Sequence, residues 1–402
     1  MAEVRRAQPS IAGPGALLSL IRGGRATTRA ELTEISGLAR STVAQRLDAL
    51  KSRGLIHEVG ATSSTGGRRA AVLAFDSGAG VVLAADLGAT HSRVAVTDLA
   101  GVVLGEVSRD IQISDGPGVV LDWLDEQFGT LLEQANKSSA RVRGIGIGVP
   151  GPVEFATGRP ISPPIMPGWD GYPIPDRFES LDVPVLVDND VNIMALGEHW
   201  AKHRDCDHML FVKVGTGIGC GIVASGSIHH GSQGAAGDIG HIRVTDDPSV
   251  VCTCGNTGCV EAVAGGGAIA RRLAALGVDA HNSRDVARLA RHGHPEAVRL
   301  LRDGGRKLGE VLAAGVNFFN PALIVIGGDI AGAHDQLFAG VREIIYQRSL
   351  ALATRHLRVV RSELGDRAGI IGAAVMAIVH VLSPEAIDAA IAADGARLKA
   401  AP

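Results

Sequence analysis

The chain has 402 residues, enough for two or three compact units that each bury a core. Hydrophobic residues make up 46% and aromatic residues only 3%, with 53 glycines, which is a globular composition rich in tight turns and close backbone approaches. A net charge of −3 excludes binding of nucleic acid by general basicity, yet residues 1–70 hold 11 Arg and Lys against 5 Asp and Glu, so a basic head precedes an acidic body.

No secretory signal is legible at the start, because the apolar run Ala16–Ile21 is too short. The apolar stretch Gly369–Leu382 is interrupted by His380 and falls short of a membrane span. The cysteines are Cys206, Cys220, Cys252, Cys254 and Cys259, an odd set with three crowded together. That usage points to metal rather than disulfides and to a cytoplasmic, reducing location.

In chain order, Leu17, Leu18 and Ile21 repeat at helical spacing up to Gly23-Gly24. A second helix opens at Thr28, with Glu31 completing a capping box, and Gly37 turns the chain. A third helix spans about Arg40 to Arg53, with Val43, Leu47 and Leu50 inward, Gly54 as its stop and no capping side chain at Ala39. Two helices joined by a short glycine turn form the helix-turn-helix pattern. The outward face of the third helix carries Arg40, Ser41, Thr42, Gln45, Arg46 and Lys51, donors suited to phosphates and base edges. Strands at Leu55–Val59 and Ala71–Phe75 flank a loop ending in Arg68 and Arg69, which reads as a wing over the backbone or minor groove. Three short helices also fit a protein-interaction module; the basic helix and arginine wing favour DNA.

The body opens with the buried strand Val81–Asp86 and the turn Asp86-Leu-Gly88-Ala-Thr90, followed by returning strands. His208–Val214, the turn Gly215-Thr216-Gly217-Ile218-Gly219 and Cys220–Ala224 repeat that plan, which implies two similar lobes. Turns of this kind can place N–H groups around a phosphate, although glycine hairpins are also common as plain structure. Asp86 can hold magnesium through water. Between the turns, a strand broken at Pro150-Gly151 precedes Asp188-Asn189-Asp190 at the end of another strand, where α/β proteins place ligands. Asp190 is positioned to take a proton from an attacking sugar hydroxyl, and Asn189 to fix neighbouring hydroxyls; helix capping explains the same triplet. His241 with Cys252, Cys254 and Cys259 supplies a complete tetrahedral set, hence structural zinc with no open position, and the site holds Asp238 and Glu261 near the cleft. Gly327-Gly328, after the strand Ala322–Ile326, suits either a flat ligand or a tight turn. The tail beyond Pro384 reads as an alanine-rich helix with no assigned role.

These motifs closely resemble the ROK family (repressors, open reading frames and kinases). The matching segments are DLGAT at Asp86–Thr90, GIGVPGPV at Gly146–Val153, DNDVN at Asp188–Asn192 and GTGIG at Gly215–Gly219. GAAGDIGH at Gly234–His241, CTCGNTGCVE at Cys252–Glu261 and NPALIVIGG at Asn320–Gly328 extend the match through the body. The head resembles the winged helix-turn-helix of the family's regulators, down to GGRR at Gly66–Arg69. The resemblance implies an α/β, two-lobed, actin-like (ribonuclease H-like) sugar-kinase fold behind a DNA-binding head at 1–78. The body then covers 79–382, with lobe one at about 79–197 plus a helix at 366–382, lobe two at about 198–365, and a tail at 383–402. It places sugar on Gly151, Asn189, Asp190, Asp238, His241 and Glu261, with Asp190 the base in kinases. ATP and Mg²⁺ would lie against Asp86, Gly88, Thr90, Gly215, Thr216, Gly217, Gly327 and Gly328. Zinc would be held by His241, Cys252, Cys254 and Cys259.

Two departures favour a regulator over a kinase. The first turn reads Gly88-Ala89-Thr90-His91 where kinases usually carry Gly-Gly-Thr-Lys, and Asp238 stands for the usual glutamate. The expectation is therefore a sugar-responsive repressor that binds operator DNA as a homodimer or homotetramer. The alternatives are an ATP-dependent hexose or N-acetylhexosamine kinase with an accessory head, and a zinc-stiffened scaffold that binds no sugar.

Overall fold

A computed structural model describes residues 13–61, 71–332 and 335–400. The head consists of α1 (Pro14–Arg22), α2 (Arg29–Ser36), α3 (Arg40–Ser52) and the antiparallel strands β1 (Ile56–Ala61) and β2 (Ala71–Phe75). Thr28 caps α2: its hydroxyl accepts from the Glu31 N–H, and the Glu31 carboxylate accepts from the Thr28 N–H at 3.0 Å. Gly37 and Gly54 adopt φ of +67° and +70°, a conformation costly for a residue with a Cβ, and there the chain leaves α2 and α3. Leu17, Leu18, Leu32, Leu47 and Leu50 are fully buried at the centre of the three-helix packing.

The body holds two five-stranded sheets with one plan. In chain order the first half contains β3 (Val81–Leu87), β4 (Ser92–Asp98), β5 (Val103–Arg109), α4 (Pro117–Gln134), β6 (Val142–Val149), the short hairpin β7 (Val153–Glu154) and β8 (Arg159–Pro160), then β9 (Val185–Asn189). Its sheet runs β5-β4-β3-β6-β9. Helix α5 (Asp190–Lys202) leads to β10 (His208–Val214), β11 (Ile218–Ala224) and β12 (Ser227–Ile228). Four helices follow: α6 (Val260–Ala264), α7 (Gly266–Ala275), α8 (Ser283–Arg291) and α9 (Pro295–Phe319). Then come β13 (Leu323–Gly327), α10 (Asp335–Arg348), α11 (Ala351–Thr354), β14 (Arg358–Arg361), α12 (Ala368–Val381) and α13 (Pro384–Ala400). The second sheet runs β12-β11-β10-β13-β14. In each sheet the first strand pairs antiparallel with the next and parallel with a later one, which itself pairs parallel with an outer strand.

Helices α5 and α12 cross between the two sheets at backbone contact. A Cβ on Gly372 would lie 1.6 Å from the Ile193 carbonyl oxygen, and one on Gly197 would lie 2.1 Å from that of Ala368. Helix α5 continues past residue 197, where the sequence reading ends lobe one, to Lys202. Its Glu198 is fully buried and accepts from Ser362 Oγ at 2.8 Å, Glu363 N at 2.7 Å and Leu364 N at 3.3 Å, which fixes the loop into α12.

The tail has a definite place. The Gly15 N–H donates to Asp388 Oδ1 at 2.8 Å, and Arg53, at the end of α3, pairs with Asp394 at 2.8 Å. Ile387 of α13 joins one buried cluster with Leu17 and Leu18 of α1 and Ile378 of α12. Helix α13 therefore clamps the head onto α12, which packs on the first sheet and against α5. Among the described residues no single helix is long and apolar enough to cross a membrane; α12 and α13 pass that test only as a pair bent by 55°, and α12 is largely buried against the sheets.

Candidate functional site

The strand ends of both sheets open on one cleft of about 400 Å³. Asp86, Gly88 and Thr90 of the first turn and Gly215, Thr216 and Gly217 of the second line it, as do Gly151, Asn189, Asp190, Asp238, His241, Glu261 and Gly328. Gly327 does not line it. A Cβ there would meet the Phe211 ring at 2.6 Å, and the residue borders an adjoining depression with Arg291 and Arg361. Gly328, at φ +88° with Val214 backbone atoms within 3.0 Å of a Cβ, makes the tight turn.

His241, Cys252, Cys254 and Cys259 bring their donor atoms within 4.8 Å of one another. A tetrahedron with Zn–S bonds of about 2.3 Å has S···S edges of about 3.8 Å. Cys254 Sγ and Cys259 Sγ lie 3.8 Å apart, and Cys252 Sγ lies 3.5 Å from His241 Nδ1. The four side chains thus fit a metal ion. Gly255 and Gly258, at φ +87° and +76°, allow the knuckle to fold back, and the Cys252 N–H donates to Asn256 O at 2.8 Å. With Nδ1 on the cysteine side, His241 Nε2 faces Asp238 Oδ1 at 3.8 Å. The metal-ligand and cleft roles expected of His241 fall on different ring nitrogens.

Cys259 sits at the N-cap of α6, which puts Glu261 in the first turn of that helix. Glu261 Oε2 accepts from the Ile218 N–H at 2.9 Å. A Cβ on Gly217 would lie 2.4 Å from that oxygen, so the glycine is required for the contact. The Gly266 and Gly267 N–H groups donate to the carbonyls of Gly215 and Thr216 at 2.8 and 3.0 Å. The second turn is thus fastened to the metal-ligand knuckle.

The first turn is held differently. The Gly88 N–H donates to His91 O at 3.0 Å, and the His91 ring meets Asp110 Oδ1 at 2.8 Å. Asp110 also faces Arg284 of α8 at 3.7 Å, across the cleft mouth. Asn189 is the N-cap of α5, accepting from the Val191 N–H at 2.9 Å and donating to Gly151 O at 3.0 Å, so the capping explanation of the Asp-Asn-Asp triplet is correct for this member.

Asp190 is buried and ion-paired with Lys213 of β10. The sequence reading missed Lys213, although a lysine in the otherwise apolar end of HMLFVKV was a signal. Burial works against its ammonium, but the charge and hydrogen bond of Asp190, with Asp86 and Asp329, hold its pKa above the ordinary lysine value. Burial pushes Asp86 up to about 7, with Lys213 pulling down and Asp190 pushing up. Also missed was His230, whose Nε2 meets Asp188 Oδ2 at 2.7 Å while the ring stacks on Phe155 at 4.3 Å.

On the head, Arg40, Ser41 and Gln45 are exposed, and Thr42 and Arg46 are half-buried. Lys51 is engaged by Glu58 at 2.6 Å, which also takes Arg29 at 3.4 Å. Lys51 is therefore tied to β1 instead of standing free on the helix face. Arg68 and Arg69 lie outside the described residues.

Comparison with known proteins places these features together. The family model described as "ROK family" matches residues 82–380. The xylose repressor of Bacillus subtilis is 28% identical over 368 residues, 91% of this chain and 94% of the repressor. NagC of Escherichia coli K12, a DNA-binding transcriptional dual regulator, is 30% identical over 354 residues, 85% of this chain and 86% of NagC. A glucokinase of Halalkalibacterium halodurans is 34% identical over 304 residues, but over 71% of this chain and 92% of the kinase. Among solved structures, a ROK family transcriptional regulator homologous to the E. coli MLC protein superposes with a TM-score of 0.80 at 28% identity, covering 94% of this chain and 98% of the regulator. The ROK hexokinase of Thermus thermophilus gives 0.63 at 32% identity, over 75% of this chain and 99% of the hexokinase. The regulator spans head and body, whereas the hexokinase matches about the length of the body alone. The chain belongs to the ROK family.

Proposed function

We propose that the protein is a sugar-responsive transcriptional regulator, a repressor of carbohydrate-metabolism genes. The observation that carries this reading is the likeness, over 94% of the chain, to a regulator with both parts, a head and a sugar-kinase-like body. Arg40, Ser41, Thr42, Gln45 and Arg46 of α3 enter the major groove of an operator, and Arg68 and Arg69 contact its backbone or minor groove. The effector is a monosaccharide or derivative, the class to which the xylose of the Bacillus subtilis repressor's name belongs. It binds against Gly151, Asn189, Asp190, Asp238, Glu261 and the Nε2 edge of His241. Zinc on His241 Nδ1 and the three cysteines is structural: four protein ligands fill a tetrahedron and leave no position for water.

Sugar binding changes the angle between the two sheets, and α12 passes that change to α13. Because α13 holds α1 and the end of α3, the spacing of two heads on a palindromic operator shifts in a homodimer or homotetramer. A kinase reading would need Mg²⁺ at Asp86, ATP along both turns and a free Asp190 carboxylate, and Asp190 is engaged by Lys213. The test is a footprint on the protein's own promoter region at low salt, repeated across a monosaccharide panel. Protection that one sugar weakens or strengthens is expected; no protection under any condition ends the reading.

A further inference from the structure

Three carboxylates from distant parts of the chain meet in the cleft. Asp86 is the next-to-last residue of β3, Asp190 opens α5 and Asp329 follows β13. Lys213, the next-to-last residue of β10, stands among them: its ammonium donates to Asp190 Oδ2, and the charges of Asp86 and Asp329 act on it as well. Asp329 is further oriented by Ser283 Oγ at 2.6 Å. The strand register fixes the lysine, since Lys213 pairs with Gly219 on one side and Gly327 on the other.

A group of carboxylates between two glycine turns is where a divalent cation would bridge protein and phosphate oxygens. We propose that Lys213 is a built-in cation occupying that position, so that the cleft takes its sugar without a divalent metal ion and does not transfer a phosphoryl group. A divalent ion entering there would meet a like charge at close range. The same contact engages Asp190 Oδ2, so this carboxylate is not free to take a proton from a sugar hydroxyl. Asp86 and Asp329 line the same cleft, and their charges act on that amine without pairing with it directly. Lys213 is thus a specificity-determining residue: it selects against metal-bound phosphates while leaving Asp238 and the His241 edge to the sugar.

Binding of Mn²⁺, followed by loss of its free-ion EPR signal, tests this on the full-length protein supplied with zinc. The wild-type protein is expected to leave the Mn²⁺ signal essentially undiminished at millimolar metal. Lys213→Met keeps the stem and removes the charge, and it should bind one Mn²⁺ at least about tenfold more tightly than wild type. Lys213→Arg should behave as wild type, and Lys213→Met with Asp190→Asn should lose the gain. A folded Lys213→Met protein with no gain overturns the proposal. So does a wild-type protein that binds Mn²⁺ at micromolar concentration and loses it on Asp190→Asn, an outcome that needs no lysine variant to fold. The readout uses neither DNA nor sugar, so a failed footprint would remove the regulator reading and leave this one standing.

Discussion

Two clusters of potential cation ligands lie at the cleft, and they are completed in different ways. His241, Cys252, Cys254 and Cys259 converge within 4.8 Å and carry no cation of their own. Asp190 is ion-paired with Lys213, a cation supplied by the chain, and Asp86 and Asp329 line the same cleft. The first cluster is built on the short Cys252–Cys259 knuckle with His241, four donors that could hold a metal ion. The second is built on the ends of buried strands that are rigid already. The contrast is between a donor set suited to a bound ion and one beside which the chain places its own ammonium.

Removing one donor from the first cluster should have the largest effect. Structural zinc contributes on the order of 10 kcal/mol of binding in small domains, part of which is folding energy. Cys259→Ala is expected to lose the metal, lower the melting temperature by roughly 10 °C and abolish sugar-induced stabilisation. Zinc content by colorimetric chelation and scanning calorimetry check it. A variant that melts like wild type would show that the knuckle stands without its ion, and the contrast would fail.

Next comes Asp190→Asn, which leaves the Lys213 ammonium without its nearest counter-charge. Breaking a buried pair costs about 3–5 kcal/mol, and because the Lys213 side chain is 28% exposed a loss of about 2–3 kcal/mol is expected. Adding Lys213→Met should return much of it, since both charges are then gone. A double-mutant cycle by urea unfolding measures the coupling; additive effects would mean the ion pair does not organise the cluster.

Asp86 gives the second cluster a pH dependence. Its carboxyl titrates near 7 in the folded state against 3.8 ordinarily, so the folded protein favours the neutral form. Stability from this group is present at low pH and is lost as pH rises from about 4 through about 7. Asp86→Asn should remove that slope and stabilise the protein at pH 8 by on the order of 1–2 kcal/mol. Melting curves at pH 5, 6, 7 and 8 test this; equal slopes in wild type and variant would assign the titration elsewhere.

The two clusters also differ in how far they could be read from sequence. Three ligands of the first lie between 252 and 259, and cysteines at that spacing have few structural uses. The second draws on residues 86, 190, 213 and 329, and only the β10–β13 register and the α5 N-terminus bring them together. Lys213 therefore read as a strand residue. The glycine turns, the capping box and the repeated strand plan were legible because each is set by local backbone chemistry. The role of α13 was not, since an alanine-rich helix shows its partner only when Asp388 and Asp394 are seen against Gly15 and Arg53.

Glu261 ties the knuckle to the second glycine turn, and its replacement gives the smallest effect and the sharpest comparison. Glu261→Gln keeps an oxygen to accept from the Ile218 N–H at 2.9 Å and removes only the charge. Stability should fall by no more than about 1 kcal/mol, and zinc content should be unchanged. Affinity for the sugar should nevertheless weaken by roughly tenfold, because a charge-assisted hydrogen bond to a hydroxyl is replaced by a neutral one. Thermal shift against sugar concentration, with zinc assayed on the same sample, separates the two outcomes. Sugar binding that weakens while zinc stays would show that the knuckle acts by positioning Glu261. If zinc and sugar binding are lost together, the metal and the cleft form one cooperative unit, and the division between an ion-dependent cluster and a self-neutralised one would have to be redrawn around Glu261.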